Sequence, residues 1–354
     1  MKKIIGFLAV LLALALFVCS CGQESVQYYE INDENAWTAF PVDKAPVKTV
    51  RAGEKWYSLI GRYLHDSFSL SVSEDYGILN EVYSVSGVSI WFFEACESFA
   101  VWAEENAAEL RFMLYSGKSG EVSEIFSASK EAGFESANVG IFGASVYFAY
   151  TDYAAENAAI MRYNTENGEL SRFMELDYSG EYSCMSFSVD GESLLVATGK
   201  GKNAALIRVN LESGERESIT IGASAGFVYA CAYDSARGGY AVYYCDADGG
   251  EHVGTVNAKN GKIKNIYSFG SNVYAYKDTL EFYGGHLYWV RQINASGNVA
   301  EHYSFVDYDL ESDTADEYLR TFSFSLCGDG AVLLSFNSLN YDAIYLTEIY
   351  LGGQ

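Results

Sequence analysis

The stretch Gly191-Glu192-Ser193-Leu194-Leu195-Val196 sets a small residue in a tight turn and follows it at once with a bulky apolar run. The same step occurs at six other places, with Gly53, Ser98, Gly143, Gly239, Gly285 and Gly330 in the position of Gly191. Runs such as Phe99-Ala100-Val101-Trp102, Val146-Tyr147-Phe148 and Leu287-Tyr288-Trp289-Val290 stand behind them. Successive turns lie 45 to 48 residues apart. A period that regular denotes stacked copies of one supersecondary unit, because an irregular core has no reason to repeat its punctuation.

Reading outward from Val196, a polar turn, Lys202-Asn203-Ala204-Ala205, leads to a second strand, Ile207-Arg208-Val209-Asn210. Both recur in register as Glu105-Asn106-Ala107-Ala108 before Leu110-Arg111-Phe112, and as Glu156-Asn157-Ala158-Ala159 before Met161-Arg162-Tyr163. A hairpin turn comes next, at Ser213-Gly214, Ser119-Gly120, Asn167-Gly168 and Asn260-Gly261, built of residues for which positive φ is cheap. An outer strand and an inner strand then lead to the following turn. Four short strands per unit make a blade, so the chain reads as all-β, a β-propeller of seven four-stranded blades. Six or eight blades are the alternatives, since the first unit, residues 46–90, matches least well. Residues 100–112 are rich in Ala, Glu and Leu and score as helix by propensity, but they fall in phase with strands in two other copies, and the repeat overrides them. The 29 Tyr and 21 Phe suit pleated, half-buried surfaces.

Phe187-Ser188-Val189-Asp190-Gly191-Glu192 resembles the Phe-Ser-Pro-Asp-Gly-Lys turn of TolB-type and WD40-like propeller repeats, with Val189 in place of the proline. Cys327-Gly328-Asp329-Gly330 is similar to its second half. The resemblance covers two inner hairpins. It implies the fold and brings no functional residue with it.

At the amino terminus Lys2 and Lys3 precede an apolar run from Ile4 to Val18, a secretory pattern too short for a comfortable membrane span. The run ends in Val18-Cys19-Ser20-Cys21-Gly22, which resembles the lipobox of bacterial lipoproteins. Cys21 has an aliphatic residue three before it and a small one just before it; Cys19 does not. Residues 1–20 are therefore expected to be a lipoprotein signal, with Cys21 acylated and held in membrane lipid. Residues 21–45 are then a lipid-anchored tether that also supplies a ring-closing strand, and 46–354 the propeller. The last unit ends without an outer strand, while Val26, Tyr28, Tyr29, Ile31, Trp37 and Phe40 are too apolar for a free linker. The expected location is extracytoplasmic, lipid-anchored to the cell membrane.

The formal net charge is −24, and loss of Lys2 and Lys3 with the signal takes it to −26. That excludes a basic nucleic-acid-binding face and suits solubility or cationic partners. Motif by motif, no constellation carries catalysis, and no cofactor or metal is expected. Gly222-Ala223-Ser224-Ala225-Gly226 has the letters of a nucleophile elbow but sits between blades, not in a strand-to-helix turn. Asp246-Ala247-Asp248-Gly249-Gly250-Glu251 lacks the later bidentate acid of a calcium loop. His252 and His302, each after a Glu, lie on third strands of adjacent units, out of common reach of one metal. Five cysteines follow Cys21; a three-residue loop Arg237-Gly238-Gly239 would bring Cys231 opposite Cys245 and permit a disulfide.

Function is expected on the face that carries the turns between second and third strands and the links between blades, since binding residues collect on loops of a rigid scaffold. The candidate ligand-binding residues are Phe134, Asp152, Tyr153, Asp246, Asp248, Arg291, Asn294 and Tyr341, a mixture suited to sugars or cationic peptides. The expected protein is a monomeric, noncatalytic binding or scaffolding module for a glycan, peptide or envelope protein. One alternative is an extracytoplasmic hydrolase or lyase on glycans or peptides, which acids clustered at one end of the channel would favour; the other is an envelope assembly factor.

Overall fold

A computed structural model describes residues 25–29, 38–41, 46–62, 67–75, 78–129, 134–135, 139–152, 156–176, 186–199, 201–221, 225–270, 273–275, 279–293, 303–327, 331–337 and 343–350. These form seven antiparallel blades in a ring, a seven-bladed β-propeller, and no α-helix occurs among the described residues. Blade 1 holds Pro46–Ala52, Lys55–Arg62, Ser67–Ser73 and Glu81–Ser86 in order from the axis outward. Blade 2 repeats the pattern over Ser89–Ser129 and blade 4 over Ser186–Thr220. Inner strands touch in succession from blade 1 to blade 6; the second and third strands of blade 6 touch the inner strand of blade 7, Thr321–Leu326, which touches Pro46–Ala52, so the ring closes.

Both faces of every blade are buried against neighbours, which explains the continuous apolar runs of the second strands. Along Ser193–Thr198, Leu194 and Val196 pack towards blade 3 while Leu195 and Ala197 pack towards blade 5. The two-residue period of a strand thus feeds two cores at once. The helix-prone stretch forms the strands Phe99–Glu105 and Glu109–Ser116, with Val101 and Ala103 in one interface and Ala100 and Trp102 in the other. Packing gain on both faces outweighs a propensity difference of a few tenths of a kcal/mol per residue. The turn glycines do what the sequence asks of them: Gly191 has φ 52° and Gly214 φ 73°.

Blade 7 takes its outer strand from the other end of the chain. Thr38–Pro41 runs antiparallel to Ala343–Tyr350, with Thr38 opposite Leu346 and Pro41 opposite Ala343. Ser25–Tyr29 adds a fifth strand to blade 6, parallel to Thr314–Leu319, which the sequence reading did not anticipate. The inner strand of blade 6 is split into Val273–Ala275 and Glu281–Tyr283. Thr279 Oγ1 spans the break by accepting the ladder N–H of Val290 at 3.0 Å.

The hairpin of blade 5 corrects two expectations. It closes with Asp234 opposite Gly239, so four residues form the loop and Gly238, not Gly239, takes positive φ. Cys231 therefore faces Val242 and Cys245 faces Phe227, neither is in a disulfide, and Cys231 Sγ donates to the carbonyl oxygens of Ser186 and Leu195 at 3.7 and 3.6 Å. The expected Cys231–Cys245 disulfide is ruled out by this register: Asp234 Oδ1 accepts the N–H groups of Ala236 and Arg237 and sets the loop at 235–238 rather than 237–239, so Val242, three residues before Cys245, stands opposite Cys231.

Candidate functional site

The inner strands bring charged side chains from four blades to the axis. Lys48 stands on blade 1, Glu94 on blade 2, Asp190 on blade 4 and Glu281 on blade 6. Glu281 is subject to the fields of Glu94, Lys48 and Asp190 together, and blades 1, 2, 4 and 6 of a seven-membered ring share no meeting place except the channel. Glu94, Asp190 and Glu281 lie near the turns between first and second strands, and Lys48, further along its strand, reaches Glu94 by its long side chain.

Within this group Lys48 Nζ donates to Glu94 Oε1 at 2.6 Å. Asp190 Oδ2 accepts the N–H of Ser235 at 2.7 Å, and one blade on Asp234 Oδ2 accepts the N–H of Gly285 at 3.0 Å. These carboxylates staple the inner hairpin of blade 4 to that of blade 5 and that of blade 5 to blade 6, which gives the Asp of the resembling Asp-Gly turn a structural task. Glu281 differs from both. Its side chain is exposed, as expected of a channel-lining group. Its pKa is pushed from 4.5 up to about 7, first by desolvation among the surrounding blades and then by Glu94 and Asp190, with Lys48 pulling the other way. Three carboxylates against one ammonium leave the site anionic; among the described residues no group of acids is close enough to hold a metal ion, so the charge suits a larger organic cation, and Glu281 can carry a proton near neutral pH.

The opposite face looks different. Asp246 Oδ1 accepts the N–H groups of Asp248 at 2.9 Å and Gly250 at 2.8 Å, and its Oδ2 meets His252 Nε2 at 2.9 Å. The His252 hydrogen bond leads in lowering the Asp246 pKa. Asp248 is exposed on the tip of the same turn. Arg291 forms an ion pair with the buried Glu317 and donates from Nε to Ser304 Oγ at 3.2 Å. Asp152 Oδ2 accepts from Tyr150 at 3.0 Å and lies opposite Phe134 in a two-residue ladder. The structure thus brings Phe134 and Asp152 together and commits Asp246 and Arg291 to internal partners. Cys21, Tyr153, Asn294 and Tyr341 lie outside the described residues, as do Ser224, Glu301 and His302.

Sequence reasoning missed Lys48, Glu94 and Glu281 and gave Asp190 only a turn. A signal was present: Glu94 and Glu281 each stand four residues before their turn residue, Ser98 and Gly285, so the repeat alone puts them in one phase.

No family model and no curated relative matches the chain. Solved structures do. A prolyl endopeptidase is similar over 88% of this chain at TM-score 0.59 and 12% identity, and this chain spans about half of it, 51%. The β-propeller domain of the Trilobed protease from Pyrococcus furiosus, which has an open velcro topology, matches with TM-score 0.57 and 9% identity over 89% of this chain and 97% of that one. Sqt1 from Saccharomyces cerevisiae matches with TM-score 0.51 and 11% identity over 89% and 99%. At such identities the likeness is one of fold. The TolB-type and WD40-like resemblance is thereby supported at the level of the propeller.

Proposed function

We propose that this protein is an extracytoplasmic lipoprotein, anchored through Cys21, whose propeller binds a cationic ligand, a basic peptide or protein segment, at the axial carboxylates. The convergence of Glu94, Asp190 and Glu281 at one end of the channel carries this reading. The net charge of −24 supports it by favouring the approach of cations. Cys21 and the apolar run before it support the anchor. A peptide and glycan array probed with soluble residues 22–354 tests the reading. Lysine-rich peptides are expected to bind, more weakly at high salt. Binding confined to neutral glycans would overturn it.

The same acids favour a second reading, hydrolysis of glycans or peptides, in line with the peptidases among the similar folds. A carboxyl group with a pKa of about 7 suits a general acid. Binding ranks first because a hydrolytic pair needs a second carboxylate to act on water, and Glu94 and Asp190 are held by Lys48 and Ser235, whereas attraction of a cation to Glu281 needs only the summed negative charge around it. Release of new reducing ends or amino termini by the wild type, lost in Glu281→Gln, would reverse that ranking.

A further inference from the structure

We propose that the propeller sits on the bilayer by the face that carries its inner and outer hairpin turns, with the corner of blades 5 and 6 down on anionic headgroups. The proposal rests on the lipid anchor at Cys21. Its first support is the register of the added strand. Ser25 pairs with Thr314, the first residue of the outer strand of blade 6, immediately after the turn at Glu311–Asp313, and the pairing runs parallel to Tyr29 opposite Tyr318. The chain therefore enters the fold at the hairpin-turn end of blade 6. Cys21 is four residues earlier, and a fully extended chain of that length spans at most about 14 Å. The opposite face is a further strand length away, about 20 Å for six residues, and lies beyond that reach.

The second support is independent of the anchor. The outer hairpin turns of blades 2, 3 and 4 carry Glu121, Glu166, Glu169, Glu212 and Glu215, with Lys118 as their one base. Blade 5 differs: Lys259 and Lys262 are exposed in its outer turn and Lys264 in the strand just beyond, where blade 4 has Arg216, while the adjoining blade 6 turn carries Glu311 and Asp313. This hairpin adjoins the entry point, since Lys264 Nζ lies 3.9 Å from Asp313 Oδ1 in the blade 6 turn. In an acidic protein, lysines gathered beside the anchor offset repulsion from a negative membrane where the tether is shortest. A basic patch beside an acyl chain is also the arrangement that makes single anchors hold. The axial carboxylates then open towards the bilayer side of the ring.

The test uses the full lipidated protein in vesicles with and without phosphatidylglycerol. Ala258 on the outer turn of blade 5 and Ala247 on its opposite turn are both exposed, and each is replaced in turn by a fluorescent noncanonical residue. A headgroup-level quencher is expected to act at least about threefold more strongly at position 258 than at 247, given about 20 Å of strand between them. Equal quenching, or more at 247, overturns the orientation. Lys259→Glu with Lys262→Glu is expected to weaken quenching at 258 only in anionic vesicles; no change overturns the headgroup contact. Flotation separates the two readings. Wild type that floats, with Cys21→Ser that does not, upholds the anchor whatever the probes report; wild type that fails to float removes the anchor and the orientation with it.

Discussion

The two ends of the propeller spend their charge differently. On the face of the turns between second and third strands, Arg291 is held by Glu317 and Ser304, and Asp246 by its own turn and His252. At the axis, beside the inner hairpins, Glu281 is pressed by two like charges and opposed by one lysine. A charged residue on a loop reads from sequence as a binding residue. Only the partners around it decide whether it binds anything or simply holds the loop in shape.

The largest effect that sharpens this contrast is expected from Arg291→Met. It leaves Glu317, 2% exposed, without its cation, and is expected to cost about 3–5 kcal/mol in denaturant unfolding without changing affinity for a lysine-rich peptide. A stable Arg291→Met protein with lost binding would return the site to that face. Asp246→Ala comes next. It removes two turn hydrogen bonds and the His252 contact, and a fall in melting temperature smaller than that of Arg291→Met is expected.

At the axis the sign is opposite. Because the folded state holds the Glu281 proton more tightly than the unfolded chain does, its ionisation lowers stability as pH climbs from 4.5 to about 7. Glu281→Gln is expected to remove that part of the decline in pH-dependent melting. His286, whose pKa is raised chiefly by its hydrogen bond to Asp307 at 2.8 Å, stabilises below its unfolded pKa and loses this as pH rises through the folded value, so its slope remains in the variant. The smallest effect concerns Cys231 and Cys245. Peptide mapping is expected to show both alkylated without prior reduction, and a linked peptide pair would contradict the blade 5 register.

Much of the fold was legible because its determinants are local and repeated. Turn residues at a fixed spacing and apolar second strands named the blades, and the missing outer strand after Tyr350 pointed to the strand at Thr38–Pro41. The strand at Ser25–Tyr29 was not legible, since its parallel partner is almost three hundred residues away and no turn links them. The site escaped for a related reason. Lys48, Glu94, Asp190 and Glu281 are ordinary surface letters in sequence, and only ring closure brings blades 1, 2, 4 and 6 to one place. The Cys231–Cys245 pairing failed because the loop lies at 235–238, which moves the residue opposite Cys231 by three positions and so to the other face.

Titration of a fluorescent lysine-rich peptide at pH 8 and pH 5, against wild type and the double variant Glu94→Gln/Glu281→Gln, tests the axial site most directly. At pH 8 wild type is expected to bind, and binding is expected to weaken about tenfold or more both at pH 5, where Glu281 is protonated, and in the double variant at either pH. An affinity at pH 8 that is the same in the double variant as in wild type would contradict the account.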